Sequence, residues 1–393
     1  MSVRVSKPAF NLREKLSELD NDKPVGSIET SETGRKNVIV NGAMRFNQRG
    51  AASYDAAVYT LDRWRYHRST DGEFDIKQST VAPPGFSNSL HVDCKAASST
   101  ISNGAYARLR YFIEGTDCQR FGKGTDEAKN LCLSFYAKSN VLGTYSVNLQ
   151  DQSNSARVIT RTYEVTDTDW HRYVIVFPNE TAYPVANSTS TGIEIQFGLT
   201  HGTNYTGGDG GYGWSAYAEN KQHTGSNVNL YSSTSNNWYL TGVQFEVGDV
   251  ATPFEHLTYG EELALCQRYY EKWGVDGNGT GTGRGPLIGC YSPGSSGVAN
   301  AARFFGWLPM AVRKRTSSPV ITEQSILVEH TSLGNSSHVT QIGCYMPNTG
   351  PGLTIEVNTL GGYGVAGDPY HLSFYKPNND AANIPYIAID AEM

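Results

Sequence analysis

Four aromatic residues sit inside one long run of glycine and small polar residues. In "THGTNYTGGDGGYGWSAYAENKQHTGSNVNLYSSTSN" (200–236), glycines alternate with Tyr205, Tyr212, Trp214 and Tyr217. Aromatic faces can cover the apolar C–H faces of a sugar while neighbouring Asn, Asp and Gln bond its hydroxyls. Large rings do this with little loss of rotamer entropy. The four rings are therefore candidates for a glycan platform. The alternative is that they pin the loop onto its own scaffold or onto a neighbouring subunit. A loop of this length is uncommon in a compact domain and is usually functional or disordered.

Bond-breaking chemistry has far less support. Cleaving a glycosidic bond needs two carboxyls roughly 5 to 10 Å apart. Asp209 and Glu219 flank the aromatic residues and form the best pair, but acidic loop residues are ordinarily solvated. Nucleophile-elbow, zinc-protease and P-loop patterns are absent from the sequence. "GNGTGTGRGP" (277–286) follows a helical pattern rather than a strand and is closed by Pro286, so it is expected to be a linker, not a dinucleotide loop. Asp249, Glu246 and Glu255 are oxygen donors near one strand end, without the D-x-D-x-D-G run of a calcium loop. The cysteines, Cys94, Cys118, Cys132, Cys266, Cys290 and Cys344, are scattered with no C-x-x-C, and are expected to be reduced, packed thiols. The N-x-S/T triplets at Asn179, Asn187, Asn204 and Asn278 are expected to serve as turns. No metal, no cofactor and no enzymatic activity are expected.

The elements that must position the rings follow from composition and period. The chain has 393 residues, enough for two or three domains, with 41 Gly, 24 Tyr and only 18% charged residues. That balance favours many short strands joined by turns. A net charge of -6 gives no electrostatic reason to expect nucleic acid. The N-terminus has no apolar signal-peptide core and no apolar run approaches a membrane span, so synthesis in a cytoplasm without membrane insertion is expected.

From Val38 to Phe254 the apolar period is two. Leu131, Leu133, Phe135 and Ala137 share one face, as do Ile193, Ile195, Phe197 and Leu199, and Tyr239, Thr241, Val243, Phe245 and Val247. About ten such strands suit a jelly-roll β-sandwich over residues 38–257. Strand-like runs resume after the linker, in "PLIGCYS", "SILVEH", "VTQIGCYM", "LTIEVNTL", "YHLSFYK" and "IPYIAIDAEM". They predict a smaller C-terminal β-domain over 275–393.

One helix is predicted between the two, over 258–274, opened by a Thr258/Glu261 capping box and stopped by Gly274. Leu263, Cys266, Tyr270 and Trp273 form one apolar stripe on it, and Leu265 with Tyr269 a second. Two stripes imply contacts on two sides, either with both β-domains or with symmetry-related copies. In residues 1–37, Leu12, Leu16 and Leu19 share a short helical face, which predicts either a frayed tail or an arm that orders on a partner.

"NVIVNGAMRFNQRG", "YTLDRW" and the long "TGVQFEVGDVATPFEHLTYGEELALCQRYYEKW" resemble a recurrent module of bacteriophage tail fibres and related virion proteins. "FFGWLPMAVRKRTSSPVIT" and "YIAIDAEM" are similar to later strands of that module, and "KPAFNLREKLSELD" to the virion-anchoring start of cyanophage-like tail proteins. The resemblance implies a homotrimeric tail appendage assembled in the host cytoplasm. It implies a jelly roll akin to carbohydrate-binding modules, with other tail proteins as partners through residues 1–37 and a host surface glycan as receptor. It implies no catalytic residue, and the family's loops are too diverse to transfer receptor contacts. A purely structural virion component and a surface-polysaccharide depolymerase are the alternative functions.

Overall fold

The computed structural model describes residues 34–51, 53–69, 71–153, 157–274, 285–291, 301–330, 336–346, 352–360, 369–374 and 386–393. The described residues of Asn37–Met393 form one compact unit. Leu12, Leu16 and Leu19, with nearly all of the N-terminal arm, lie outside the described residues.

The protein is mainly β, and its larger part is a jelly-roll sandwich. One antiparallel sheet runs in the order β1 (Trp64–Arg68), β4 (Tyr106–Glu114), β9 (Thr191–His201), β6 (Gly143–Asp151), β7 (Arg157–Val165) and β10 (Ser215–Ala216). The facing sheet runs β2 (Glu73–Ser79), β3 (Ser89–Ala96), β11 (Asn237–Val247), β5 (Leu131–Ser139) and β8 (His171–Phe177). Alternate side chains meet between the sheets. Leu131, Leu133, Phe135, Ala137, Ile193, Ile195, Phe197 and Leu199 are all fully buried there, beside Trp64 and Trp238. Burying each large apolar side chain contributes roughly 1.5–3 kcal/mol.

The alternation predicted for β11 does not hold along its length. Pairing with β5 shifts by a residue between Thr241 and Gln244. Gly242 occupies the extra position at φ +62, and a Cβ there would lie 2.6 Å from the Phe86 ring. The bulge reverses the parity of the strand. Trp238 and Leu240 before it, and Val243 and Phe245 after it, enter the core. Tyr239 and Thr241 therefore lie on the opposite face from Val243, with Tyr239 stacked on His91 at 4.1 Å.

The predicted helix is shorter than its apolar pattern. The capping box is present: Glu261 N donates to Thr258 Oγ1 at 3.4 Å and Thr258 N to Glu261 Oε2 at 3.0 Å. The helix, α1 (Tyr259–Gln267), then ends, and β12 (Tyr270–Gly274) follows as a strand. Gly274 is thus a strand residue, not a helix stop. Two causes act together. Lys314 Nζ donates to the Gln267 carbonyl and to buried Glu271, which terminates the helix from outside. The Tyr-Glu-Lys-Trp segment finds a ladder partner in β20 (Tyr386–Asp390), where strand pairing outweighs helical propensity. The two stripes dissolve accordingly. Cys266, Leu263 and Leu265 pack on Val40 and Phe46, whereas Tyr269, just past the helix, is buried against Arg63 and Glu114 of the same chain.

β12 forms a three-stranded sheet with β20 and β15 (Val320–Gln324). A closed barrel completes the chain, in the order β13 (Gly285–Tyr291), β14 (Ala301–Pro309), β18 (Gly352–Leu360), β17 (Ser336–Met346), β16 (Ile326–His330) and β19 (Pro369–Phe374). Residues 390–393 return to the sandwich. Glu392 pairs with Arg63, both nearly inaccessible, and Tyr59 donates to the Met393 carbonyl. Arg315 bonds the carbonyls of Ala391 and Glu392 at 2.8 and 3.0 Å.

Candidate functional site

The outer face of the six-stranded sheet is polar, in contrast to its apolar inner face. Strand register aligns its side chains in rows. One row is Arg65–Arg110–Gln196–Asn148–Thr160, and its neighbour is His67–Arg108–Gly198–Ser146–Thr162. Directly opposed residues point the same way in an antiparallel ladder, so each row forms a continuous strip.

The strip is tied together by hydrogen bonds. Glu194 takes Arg110 in a two-pronged pair, with Nη2 to Oε2 at 2.8 Å. Gln196 Nε2 donates to Glu194 Oε1 at 2.6 Å and to Gln150 Oε1 at 3.1 Å. Arg108 Nη1 donates to the amide oxygens of Gln196, at 2.9 Å, and of Gln222. His67 sits between Arg110 and Tyr106, its ring nitrogens 3.3 and 3.2 Å from the Arg110 Nη1 and the Tyr106 hydroxyl. Burial, then the charges of Arg108, Arg110 and Arg65, push the His67 imidazole down to about 4, so it is neutral at pH 7.

The long loop lies over half of this face. It is not structureless. It carries a helical turn at Thr203–Thr206, the edge strand β10 and a second turn at Glu219–Lys221. Asn148 Nδ2 and Thr160 Oγ1 donate to the Gln222 carbonyl at 2.8 and 3.0 Å, which seats the loop on β6 and β7. His223 and His201 stack at 3.5 Å above Gly198. A Cβ at Gly198 would come within 2.6 Å of Ser146 Oγ and 2.7 Å of His223 Nδ1, so only glycine lets the imidazoles lie on the sheet. Among the described residues neither His201 ring nitrogen, nor Arg108 Nε, nor Asn148 Oδ1 has a hydrogen-bond partner.

The four predicted rings are not one platform. Tyr205 is buried edge-on against Tyr106 and His201, and burial together with Glu219 pushes its phenol up to about 12. Trp214 packs on the core edge, donates to the Pro178 carbonyl at 2.9 Å and lies under Lys123. Tyr212 is 96% exposed at the loop tip. Tyr217 alone joins the polar face while staying 41% exposed, its hydroxyl accepting from Gln222 Nε2 at 2.9 Å. Asp209 accepts from Gly211 N at 3.0 Å within its own turn. Of the candidate calcium donors, Asp249 accepts from Asn130, Glu246 from Thr252 and Glu255 from Asn37.

Arg65 on β1, at the edge of the face, opens onto a cleft of ≈ 580 Å³. Arg49, Tyr54, Tyr59, Arg65, Asp390 and Met393 line it. This cleft has no signal in local sequence, because its walls come from two segments far apart in the chain, 49–65 and 390–393. Spacing within the glycine-rich run pointed to rings, yet the charged row on β1 and β4 emerges only from strand register.

No protein-family model matches the sequence, nor does any curated protein. Among solved structures the chain is similar to the enzymatically active domain of bacteriophage CBA120 tailspike protein 4, with 14% identity and a TM-score of 0.29, over 54% of this chain and 21% of that one. The chain thus spans about a fifth of that tailspike domain's length. A second similar structure is a CBM4 carbohydrate-binding module, at 11% identity and TM-score 0.27, over 53% of this chain and 97% of that one. A third is a putative sugar-binding protein from Bacteroides thetaiotaomicron, at 12% identity and TM-score 0.29, over 54% of this chain and all of that one.

Proposed function

We propose that this chain is a glycan-binding adhesin of a phage tail, holding a host surface sugar on the outer face of its six-stranded sheet. The observation that carries the glycan part is that face itself. It presents the partly exposed guanidinium groups of Arg65 and Arg110 and the imidazole of His67, with the half-exposed ring of Tyr217 beside them, over the buried carboxylate of Glu194 and amides of Gln196 and Asn148 that hold them in place. Sugars are recognised by this mixture: planar groups bond vicinal hydroxyls, and a ring covers the C–H face. The tail-fibre part rests on the sequence resemblance, which covers most of residues 38–393. Adhesion without turnover, a homotrimer, virion localisation and docking of residues 1–37 on other tail proteins belong to the same proposal. Three linked sites raise avidity by about 10²- to 10⁴-fold without new contacts.

Binding of the full chain to an oligosaccharide array, with its mass measured by light scattering, tests the reading. A trimer that binds sugars is expected, and Tyr217→Ala is expected to weaken binding by about tenfold while leaving the unfolding midpoint in place, since the ring is half in water. A monomer that binds no member of the array would remove both halves of the proposal.

A further inference from the structure

We infer that the cleft at the β1 edge of this face takes an acidic glycan, whose anionic substituent sits on the Arg65 guanidinium. The inference rests on the glycan-binding reading above and adds the chemical class of the sugar. The argument begins with charge. Arg65, Arg108 and Arg110 lie on adjacent strands of one face. Among the described residues the carboxylate bonded to any of the three, Glu194 from the adjoining row, is taken by Arg110 in a two-pronged pair. Arg108 is bonded by the neutral amides of Gln196 and Gln222. Arg65 has no carboxylate partner among the described residues; its guanidinium lies 5.7 Å from the centre of the Tyr59 ring. His67, in their midst and neutral at pH 7, adds no charge.

The opposite wall of the cleft shows what a matched arginine looks like here. Arg49 reaches Asp390 at 3.3 Å, Glu392 at 3.7 Å and Asp62 at 3.8 Å. Two guanidinium charges therefore stand in excess on the β1–β4 side, in a chain whose formal net charge is -6. Of the two, Arg108 is buried, whereas Arg65 is half-buried, and such an unmatched guanidinium attracts planar or tetrahedral anions and bonds them through two parallel N–H donors. The cleft of ≈ 580 Å³ at Arg65 is lined by the Tyr54 and Tyr59 rings. Its size is that of a small-ligand site. A neutral sugar would offer Arg65 only hydroxyls; a uronic, sialic or sulfated sugar offers the missing anion.

The test uses the full chain and an array of neutral, uronic-acid, sialylated and sulfated oligosaccharides. Binding confined to anionic members is expected, and the arms separate carboxylate from sulfate as its source. Arg65→Gln should weaken it by about tenfold or more, and Arg65→Lys should restore part of it. Raising salt from about 0.1 M to about 0.5 M should weaken the wild type more than Arg65→Gln. An unchanged unfolding midpoint in both variants shows that the fold is intact. Binding to neutral members, or anion binding indifferent to Arg65→Gln, overturns the acidic-glycan inference and leaves the adhesin proposal standing. Failure to bind any member overturns both.

Discussion

Gly198 shows how one missing side chain shapes the site. The two histidines that roof the β9 row rest directly on its backbone, and a methyl group would overlap Ser146 Oγ, His223 Nδ1 and His201 Cε1, all within 2.8 Å. Ser146 and His223 are buried and bonded, Ser146 Oγ lying 2.9 Å from His223 Nδ1, and His201 is stacked on His223, so none can step aside cheaply. Gly198→Ala should therefore destabilise the protein by about 1–3 kcal/mol through overpacking. Urea unfolding would read this as a lower midpoint at unchanged slope. A midpoint equal to wild type would mean that the roof is loose and does not define the face.

At the scale of elements, the junction of α1 and β12 is where local and tertiary preferences compete. Buried Glu271 accepts from Lys314 Nζ and from Ala311 N, the latter at 3.1 Å, and Lys314 also bonds the helix's last carbonyl. Lys314→Ala would leave a buried carboxylate unmatched and a helix end open. A loss of about 3–5 kcal/mol is expected. Adding Glu271→Leu should recover much of it, because the stranded charge is then gone. A double-mutant cycle by calorimetry checks this, and additive losses would show that the two side chains do not act as a pair. Much of this region was legible beforehand. The capping box was readable from Thr258 and Glu261, as was the alternation of β5 and β9. The helix's true end was not, because Lys314 and β20 are more than forty residues away in sequence. Nor was the flip in β11, because a bulge at Gly242 changes parity without changing the apolar pattern.

For the whole molecule, acid should be a destabilising condition. His223 is fully buried and both ring nitrogens of His201 are shielded from solvent; burial first, then Arg108 for His201, and the other imidazole and Arg108 for His223, hold both well below 6.5. The unfolded chain takes up these protons below its ordinary histidine pKa, whereas the native state does not. The stability they contribute is present above about pH 6.5 and is lost as pH falls below it, at up to about 1.4 kcal/mol per pH unit for each imidazole. Asp62 works in the opposite sense. Burial pushes its carboxyl up to about 6, so its unfavourable ionisation is relieved as pH falls through that value. Two imidazoles outweigh one carboxyl. The thermal midpoint should therefore drop between about pH 7 and about pH 5, less steeply in His223→Gln. A midpoint that rose on acidification would contradict the burial of the pair.

The amino-acid sequence determined the class of fold through purely local rules. Period-two apolar runs make half-buried strands, and turn-rich intervals separate them, so a mainly β protein with a sandwich followed by further strands was readable from residue types alone. It also marked the glycine-rich aromatic loop as unusual. What only the tertiary structure decided is which side chains meet. Register across β1, β4, β9 and β6 sets Arg65, Arg110 and Gln196 in one row. Seating the loop on the sheet buries Tyr205, packs Trp214 on the core edge and leaves Tyr217 at the side of the row. Such meetings depend on pairings between strands far apart in the chain, and no spacing along one strand encodes its partner's register.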